Sequence, residues 1–147
     1  MKKILLLASL FLVAMIGRAQ SGNEQTKVER ACLDYLEGFY EGDTVKLARG
    51  LKPSLYKFGF WRNDKSGKYE SDGQMTYRDA IKYATNVRAK KNFAKPDAPK
   101  KVQVLDIGNS IASAKVTAWW GIDYILLSKQ DDRWVIEQVL WEGPPQK

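Results

Sequence analysis

The stretch VTAWWGIDYILLSKQDDRWVIEQVLWEG, residues 116–143, decides the fold of this chain. Two runs in which apolar residues recur at every second position flank the polar turn Gln130-Asp131-Asp132, and this pattern predicts an antiparallel β-hairpin. The stretch also holds four of the five Trp residues and places one acid, Asp123, inside an apolar run. It is therefore where we expect both the sheet and a site.

The two faces of this hairpin follow from the alternation of side chains along a strand. In the first strand, Ile122 to Lys129, one face carries Asp123, Ile125 and Leu127, and the pattern leaves open whether that face is buried. In the second strand, Arg133 to Trp141, strict alternation predicts one set of four residues on one face and a second set on the other: Trp134, Ile136, Gln138 and Leu140, against Val135, Glu137, Val139 and Trp141.

Another hairpin precedes this one and extends the sheet. Val102 to Ile107 and Ser110 to Trp120 are strand-like segments joined by a Gly108-Asn109 turn. Every second residue from Ala112 to Trp120 shares one face, and most of them are small, so we expect helices to pack closely there. Upstream, Leu55 to Trp61 is an aromatic strand with a bend or bulge predicted at Gly59.

Three helices are predicted ahead of these hairpins. Thr26 and Glu29 fit a capping box that would start the first helix, and Gly42 would end it. Asp43 would cap a short second helix over residues 44–49. Thr76 and Asp79 resemble a second capping box, for a helix from residue 77 to about 87. A short strand over residues 68–70 precedes it. The expected fold is α+β: a curved antiparallel sheet with three helices forming a cone, a cystatin-like α+β roll.

The first residues, MKKILLLASLFLVAMIGRAQ, have the form of a secretory signal peptide, with basic residues, an apolar run and small residues before Gln20. The apolar run, residues 4–16, is shorter than the ~20 residues that a membrane-spanning helix needs. We predict a signal peptide over residues 1–19, a single domain over residues 20–147, and a secreted or periplasmic protein without a membrane partner after cleavage.

Composition excludes several classes of function. The chain has no His and one Cys, Cys32, so catalytic triads that use His and the usual zinc sites cannot form. Phosphate-binding glycine motifs are absent from the sequence. Loss of the three basic residues of the signal peptide lowers the net charge from +7 to +4, and the remaining basic residues are dispersed. We therefore expect no metal, no cofactor and no nucleic-acid partner.

Two segments, GLKPSLYKFGF (residues 50–60) and AKVTAWWGIDYILLSKQDDRWVIEQVLWE (residues 114–142), resemble the nuclear transport factor 2-like superfamily, and more narrowly its secreted branch described as putative lumazine-binding. The resemblance implies a cone-shaped domain that dimerises through the outer face of its sheet. It implies no activity, because the superfamily includes isomerases, dehydratases, cyclases and binding modules. Relatives often carry Leu-His-Pro where this chain has Leu51-Lys52-Pro53, so a His-dependent role in the pocket is untenable.

Asp123 is the candidate catalytic residue. If it faces the interior of the cone, burial would raise its pKa and suit it to general acid–base chemistry. If it faces outward, it is a surface acid that pairs with Lys115 across the strands. The hydroxyls of Tyr35, Tyr40, Tyr56 and Tyr124 are candidate hydrogen-bond donors to a ligand, or else core aromatics. The rings of Trp119, Trp120 and Trp141 could stack on a flat heterocycle, or fill the cone mouth or a dimer interface.

Two functions remain open at this point. The favoured one is an exported domain that binds a small apolar or aromatic molecule, or serves as a homodimeric scaffold. Its predicted ligand-binding residues are Tyr40, Tyr56, Trp119, Asp123, Tyr124 and Trp141. The alternative is a cofactor-free lyase or isomerase that uses Asp123 with a Tyr partner, although proton-transfer catalysis needs two polar groups that converge on one substrate atom, and the sequence offers no clear second group.

Overall fold

A computed structural model describes the backbone of residues 2–144 and the side chains of residues 22–144. The predicted signal peptide, residues 1–19, lies outside the described side chains. In chain order the elements are α1 (Lys2–Glu41), α2 (Thr44–Gly50), β1 (Leu51–Arg62), β2 (Tyr69–Met75), α3 (Tyr77–Lys90), β3 (Lys101–Ile107), β4 (Ile111–Ala118), β5 (Gly121–Gln130) and β6 (Arg133–Glu142).

The six strands form one sheet in the order β2-β1-β6-β5-β4-β3. Three helices cover one face of this curved sheet, so the predicted α+β fold is confirmed. One strand pairing departs from the predicted antiparallel sheet, because β1 runs parallel to β6. Alternation within each strand carries no information on the relative direction of two strands so far apart in sequence.

The hydrophobic core lies between α1 and the inner face of the sheet. Four small or β-branched residues of β4 that share one face, Ala112, Ala114, Val116 and Ala118, are all buried there, as their spacing predicts. The apolar stripe of α1 packs against the same face, with Val28, Cys32, Tyr35 and Leu36 fully enclosed. Small side chains on the sheet let the helix approach closely.

The predicted start of the first helix is wrong. The helix already includes residue 26, and the Thr26 hydroxyl donates a hydrogen bond to the Gly22 carbonyl at 3.0 Å, one turn earlier in the same helix. Thr26 therefore bonds backward along a continuous helix instead of capping a new one, which Thr side chains do in helix interiors. In the described part of the chain, none of the helices combines the length and apolar character needed to cross a bilayer.

The predicted end of α1 and the predicted starts of α2 and α3 are confirmed, whereas α3 continues to Lys90, three residues beyond its predicted end. Gly42 ends α1 with a φ of 64°, a left-handed conformation that Gly adopts without penalty. The Asp43 carboxylate accepts hydrogen bonds from the backbone N–H groups of Val45 and Lys46 and so caps α2. Thr76 and Asp79 form a complete capping box at the start of α3. These caps fix the positions at which the helices turn back onto the sheet.

A β-bulge in β6 changes which residues face the core. Leu126 pairs with Gln138 while its neighbour Leu127 pairs with Ile136, so Glu137 is the extra residue. The strict alternation predicted for this strand is therefore wrong: Ile136 is buried, Leu140 is exposed, and Val139 is buried on the inner face instead. Because the phase shifts by one residue, Trp141 shares the inner face of the sheet with Asp123, its direct partner on β5.

Strand β1 is irregular at the predicted position. Its pairing with β2 shifts register between Phe58 and Phe60, on either side of Gly59. A Cβ atom on Gly59 would lie 2.2 Å from the Trp141 carbonyl oxygen and 2.3 Å from an atom of its indole ring. Only Gly fits under this ring, so the bend in β1 and the placement of Trp141 depend on each other.

Candidate functional site

Asp123 lies in the interior of the cone. It is 0 % exposed and shares the buried face of β5 with Ile125 and Leu127. The outward alternative, pairing with Lys115, is therefore excluded. The Tyr35 hydroxyl of α1 donates to Asp123 Oδ2 at 2.9 Å, and the indole N–H of Trp120 lies 3.0 Å from Oδ1 and 3.1 Å from Oδ2. A buried carboxylate requires such donors, and here they come from the helix and the β4–β5 turn.

Lys57 is the second charged residue of this interior cluster. It belongs to β1, is 6 % exposed, and places its Nζ 3.6 Å from Asp123 Oδ1. The same ammonium donates a hydrogen bond to the Tyr35 hydroxyl oxygen at 2.9 Å. The hydrogen bonds therefore run in one direction, from Lys57 to Tyr35 and from Tyr35 to Asp123. Throughout residues 22–144 no buried side-chain nitrogen or oxygen lacks a partner.

Lys57 is absent from the site that we predict from the sequence. One signal was present, because Lys57 is in phase with the buried Leu55 and with Gly59 along the same strand. A lysine in phase with core residues points to a buried amine, since period two places alternate residues on the same face. Aromatic and charged neighbours on both sides obscured that phase.

Burial shifts the pKa values of Tyr35 and Lys57 in opposite directions. Burial, and secondarily the nearby Asp123 charge, raise the pKa of the Tyr35 phenol well above its usual value. Burial lowers the pKa of Lys57, while the attraction of Asp123 opposes that change. The phenol is thus held neutral, and the charged form of the amine costs more here than in water.

A cavity of about 350 Å³ opens beside this cluster and includes Lys57 in its wall. Half of the residues in its wall are aromatic, and the exposed Asp72 and Asp79 belong to its polar part. The aromatic members come from α1, β1, α3, the β4–β5 turn and β6: Phe39, Trp61, Tyr83, Trp119, Trp120 and Trp141. Asp79 is committed to capping α3. The cavity is therefore a mainly apolar recess with one buried amine in its wall, a composition typical of small-molecule sites.

The ammonium of Lys57 also contacts aromatic faces. Its Nζ lies 5.2 Å from the centre of the Trp141 ring and 5.9 Å from that of Trp120. Contacts of this kind stabilise a cation that has been removed from water. Phe39 and Trp120 pack edge to face, with ring centres 5.7 Å apart. The rings thus hold the amine in place while leaving it in contact with the cavity.

The structure brings some of the predicted ligand-binding residues together and separates others. Trp119 and Trp141 line the cavity. Asp123 lies immediately behind the cavity wall, where its carboxylate accepts a hydrogen bond from the Trp120 indole N–H. Tyr56 and Tyr124, 45 % and 52 % exposed, lie on the outer face of the sheet, away from the cavity. Their outward positions follow from the alternation of side chains along a strand, because their immediate neighbours Lys57 and Asp123 face inward.

Tyr40 is buried and holds two loops together. Its hydroxyl donates to the Pro99 carbonyl and accepts a hydrogen bond from the Trp119 backbone N–H at 3.0 Å. The Tyr40 carbonyl accepts a further bond from the Ala94 N–H at 3.1 Å. Tyr40 therefore supports the cavity by fixing the backbone of Trp119, and it is not among the residues that line the wall.

Cys32 has no role at this site. It is fully buried in the core, and burial raises the pKa of its thiol to about 12. The nucleophilic thiolate is thus disfavoured, as expected for a Cys that packs as a small hydrophobe. Among the described residues, no group of three or more Cys, Asp or Glu side chains is arranged to hold a metal ion.

The chain is similar to several known proteins. Residues 23–142 match the model of a family described as "Putative lumazine-binding". Among solved structures, a nuclear transport factor 2-like protein of unknown function from Shewanella baltica is 18 % identical, with a TM-score of 0.61 over 84 % of this chain and 96 % of that one. A similar protein of unknown function from Silicibacter pomeroyi is 13 % identical, with a TM-score of 0.61 over 82 % and 96 %.

A third structure bears an enzyme's name. It is called a putative scytalone dehydratase, from Novosphingobium aromaticivorans, and is 13 % identical, with a TM-score of 0.58 over 87 % of this chain and 89 % of that one. At such low identities the likeness shows the fold alone. A comparison with curated protein sequences found no match.

Proposed function

The chain belongs to the family described as putative lumazine-binding, within the nuclear transport factor 2-like superfamily, and we propose that it is an exported domain whose aromatic cavity binds a small planar heterocycle. In this proposal the ligand ring packs among the indoles of Trp120 and Trp141, and an oxygen of the ligand accepts a hydrogen bond from Lys57. The family description names lumazine, a pteridinedione, which is therefore the ligand class that we test first.

The observation that carries this proposal is the Lys57 amine in the wall of an aromatic cavity. An ammonium has three N–H donors, and among the described residues the Lys57 ammonium makes one hydrogen bond, to Tyr35 at 2.9 Å, and one ion pair, with Asp123 at 3.6 Å. Donor capacity therefore remains for a ligand oxygen. Since a buried charge is costly without partners, a carbonyl or anionic oxygen at this position would be well recognised.

The rest of the cavity restricts the ligand further. Indole faces favour a flat aromatic ring, and a space of about 350 Å³ suits a small one. Asp72, exposed in the wall, would favour an N–H donor on the ligand and disfavour a second anionic group. A heterocycle with carbonyl oxygens and N–H groups could bond to both Lys57 and Asp72, and lumazine has this combination of groups.

Calorimetric titration with lumazine tests the proposal. We expect saturable binding to the purified domain, and an affinity at least ten-fold weaker for Lys57→Met, which lacks the donor. Lys115→Met is the matched control, because Lys115 lies on the outer face beside Tyr124 and should leave the affinity unchanged. Circular dichroism of each variant establishes that it is folded. Equal affinities for wild type and Lys57→Met would refute the assigned role of Lys57.

The alternative, a cofactor-free lyase or isomerase, has one observation in its favour: the Tyr35 hydroxyl and Asp123 carboxylate are 2.9 Å apart. Against it, neither residue is among those that line the cavity, so a substrate would not reach the carboxylate without displacing Trp120 or Lys57. A proton-transfer enzyme needs its base within hydrogen-bonding reach of the substrate. The enzyme hypothesis is therefore the second candidate.

Export is the second part of the proposal and rests on the signal-peptide pattern of residues 1–19. Expression of the full chain in a Gram-negative host, followed by fractionation and N-terminal sequencing, tests it. We expect protein outside the cytoplasm that begins at Gln20. Protein that keeps residue 1 and stays in the cytoplasm would contradict export.

A homodimer through the outer face of the sheet is the third part. That face exposes large apolar side chains on neighbouring strands: Tyr56, Phe60, Tyr124, Leu126 and Leu140. An exposed apolar patch of this kind favours association. Analytical ultracentrifugation should show a dimer that Leu126→Glu dissociates, whereas Val45→Glu, on the exposed side of α2, should have no effect. A wild-type monomer at micromolar concentration would contradict the dimer.

A further inference from the structure

Lys57 combines three properties that are seldom found in one lysine. Its side chain is almost fully buried, it forms part of the wall of an open cavity, and its Nζ is hydrogen-bonded to a phenol that is itself bonded to a carboxylate. Most of the lysines whose side chains the structure describes are exposed. A buried lysine amine in contact with a ligand cavity is chemically different, because it is available as a nucleophile once it loses a proton.

We propose that Lys57 is a reactive amine that forms an imine with the carbonyl group of an aromatic aldehyde or ketone held in the cavity. This inference rests on the proposed function, because it assigns a chemical class to ligands of the same site. It adds a covalent step that binding alone does not require. The carbonyl oxygen that accepts a hydrogen bond from Lys57 belongs to the group whose carbon the amine would attack.

The orientation of the hydrogen bonds provides the route for the proton. Lys57 Nζ donates to the Tyr35 oxygen at 2.9 Å, and the Tyr35 hydroxyl donates to Asp123 Oδ2 at 2.9 Å. Transfer along these two bonds moves one proton from the ammonium to Asp123 and leaves Tyr35 unchanged. The product is a neutral amine beside a protonated carboxyl, an arrangement without a buried charge.

The covalent step then balances without an oxidant or reductant. The nitrogen lone pair of Lys57 forms a bond to the carbonyl carbon, and the carbonyl π electrons move to oxygen, which gains a proton. The remaining amine proton and this hydroxyl group leave as water, and a C=N bond forms. One amine and one carbonyl compound thus give one imine and one water molecule.

The surroundings favour the neutral amine over the ammonium. Burial lowers the pKa of Lys57, and the acids that oppose this are Asp123 and, in the cavity wall, Asp72. Surface lysines have no comparable burial and stay protonated near neutral pH. Each unit by which the pKa falls increases the neutral fraction about ten-fold at a fixed pH below it. Indole walls would hold an aryl carbonyl compound against the amine.

Reductive trapping tests the inference. Folded wild-type protein is incubated with benzaldehyde and sodium cyanoborohydride near neutral pH, which converts an imine into a stable benzylamine, and the labelled lysine is located by peptide mass spectrometry. We expect Lys57 to be labelled first, at least ten-fold faster than any surface lysine. Lumazine should slow labelling of Lys57 and leave that of Lys115 unchanged.

Two variants test the proton route. Tyr35→Phe removes the relay, and Asp123→Asn removes the acceptor of the proton while keeping the shape of the side chain. Tyr35→Phe should slow labelling of Lys57 several-fold. Asp123→Asn also removes the negative charge that opposes the fall in the Lys57 pKa, so the pH profile of Lys57 labelling should move to lower pH. Their thermal unfolding and lumazine affinity are measured in parallel, so that a misfolded variant is recognised. A Lys115→Met variant should label at Lys57 at the wild-type rate.

The outcomes separate the two proposals. Binding of lumazine that depends on Lys57, without preferential labelling of Lys57, would overturn the imine and leave the binding function intact. Preferential labelling of Lys57 without binding of lumazine would support the reactive amine and refute the heterocycle. Labelling that is spread over surface lysines at equal rates, with no binding of lumazine, would overturn both.

Discussion

Lys57 and Asp123 meet across a strand to which neither belongs. Lys57 is on β1 and Asp123 on β5, and β6 lies between them, yet Nζ and Oδ1 are 3.6 Å apart. On β6, Lys57 pairs with Val139 and Asp123 with Trp141. The charged pair therefore ties three strands together beneath the Trp141 ring and joins the site to the core.

Removal of one member of this pair should destabilise the domain. Lys57→Met leaves the buried Asp123 without its cation, and we expect a loss of about 3 kcal/mol in the free energy of unfolding. Chemical denaturation measures it. In the double variant with Asp123→Asn much of the loss should be recovered, because no charge is left unpaired. Additive losses for the two substitutions would show that the residues are not coupled.

The contact between Gly59 and Trp141 should be equally sensitive. A methyl group at Gly59 would overlap the Trp141 backbone and ring, so Gly59→Ala should cost about 1–3 kcal/mol and weaken lumazine binding through displacement of the indole. Gly108→Ala is the matched control, since its nearest neighbours would lie at an ordinary 3.4 Å. Similar stability and affinity for the two variants would mean that β1 adjusts freely at Gly59.

Tyr40→Phe should loosen the rim of the cavity without changing its wall. The substitution removes the acceptor for the Trp119 N–H and the donor to the Pro99 carbonyl. We expect a loss of about 1–2 kcal/mol and faster hydrogen exchange at the Trp119 amide. Tyr124→Phe, at an exposed tyrosine of the outer face, should change neither the free energy of unfolding nor the exchange rate of the Trp119 amide. Unchanged exchange at Trp119 in Tyr40→Phe would contradict the holding role of the hydroxyl.

Glu24 should make stability depend on acidic pH. Its carboxylate is bonded to Lys129 Nζ at 2.7 Å and to the Trp134 N–H at 2.8 Å, and these contacts lower its pKa from 4.5 to about 2. Because the folded pKa is below the unfolded one, the stabilisation is complete above pH 4.5 and is lost as the pH falls towards 2.

Thermal unfolding between pH 2 and pH 7 measures this effect. The difference in Tm between wild type and Glu24→Gln should be largest above pH 4.5 and shrink towards pH 2. Glu29→Gln, on the exposed side of the same helix, is the control and should show no such trend. A difference between wild type and Glu24→Gln that stays constant with pH would contradict the assignment.

Much of the fold could be predicted because its signals are local. The caps at Asp43 and Thr76 and the alternation of small residues from Ala112 to Ala118 each involve a few adjacent residues, and all three are confirmed. Thr26 shows the limit of such signals. The same hydroxyl can cap a helix or bond backward within one, and the choice depends on whether the preceding residues are helical.

The site was harder to predict because it depends on relations between strands. A single extra residue, Glu137, reverses the facing of the end of β6 and brings Trp141 inward, and a bulge of this kind has no reliable signature in one sequence. The parallel pairing of β1 with β6 then brings Lys57 within reach of Asp123. Asp123 and Trp141 were predicted from their residue types, whereas the phase of Lys57 along β1 indicates burial but not its pairing with Asp123.

A crystal structure of the domain with saturating lumazine tests the central claim most directly. We predict that the ring lies in the cavity against Trp120 and Trp141, with one oxygen about 2.9 Å from Lys57 Nζ. Lumazine bound elsewhere on the domain, or a cavity that stays empty at saturation, would contradict the account.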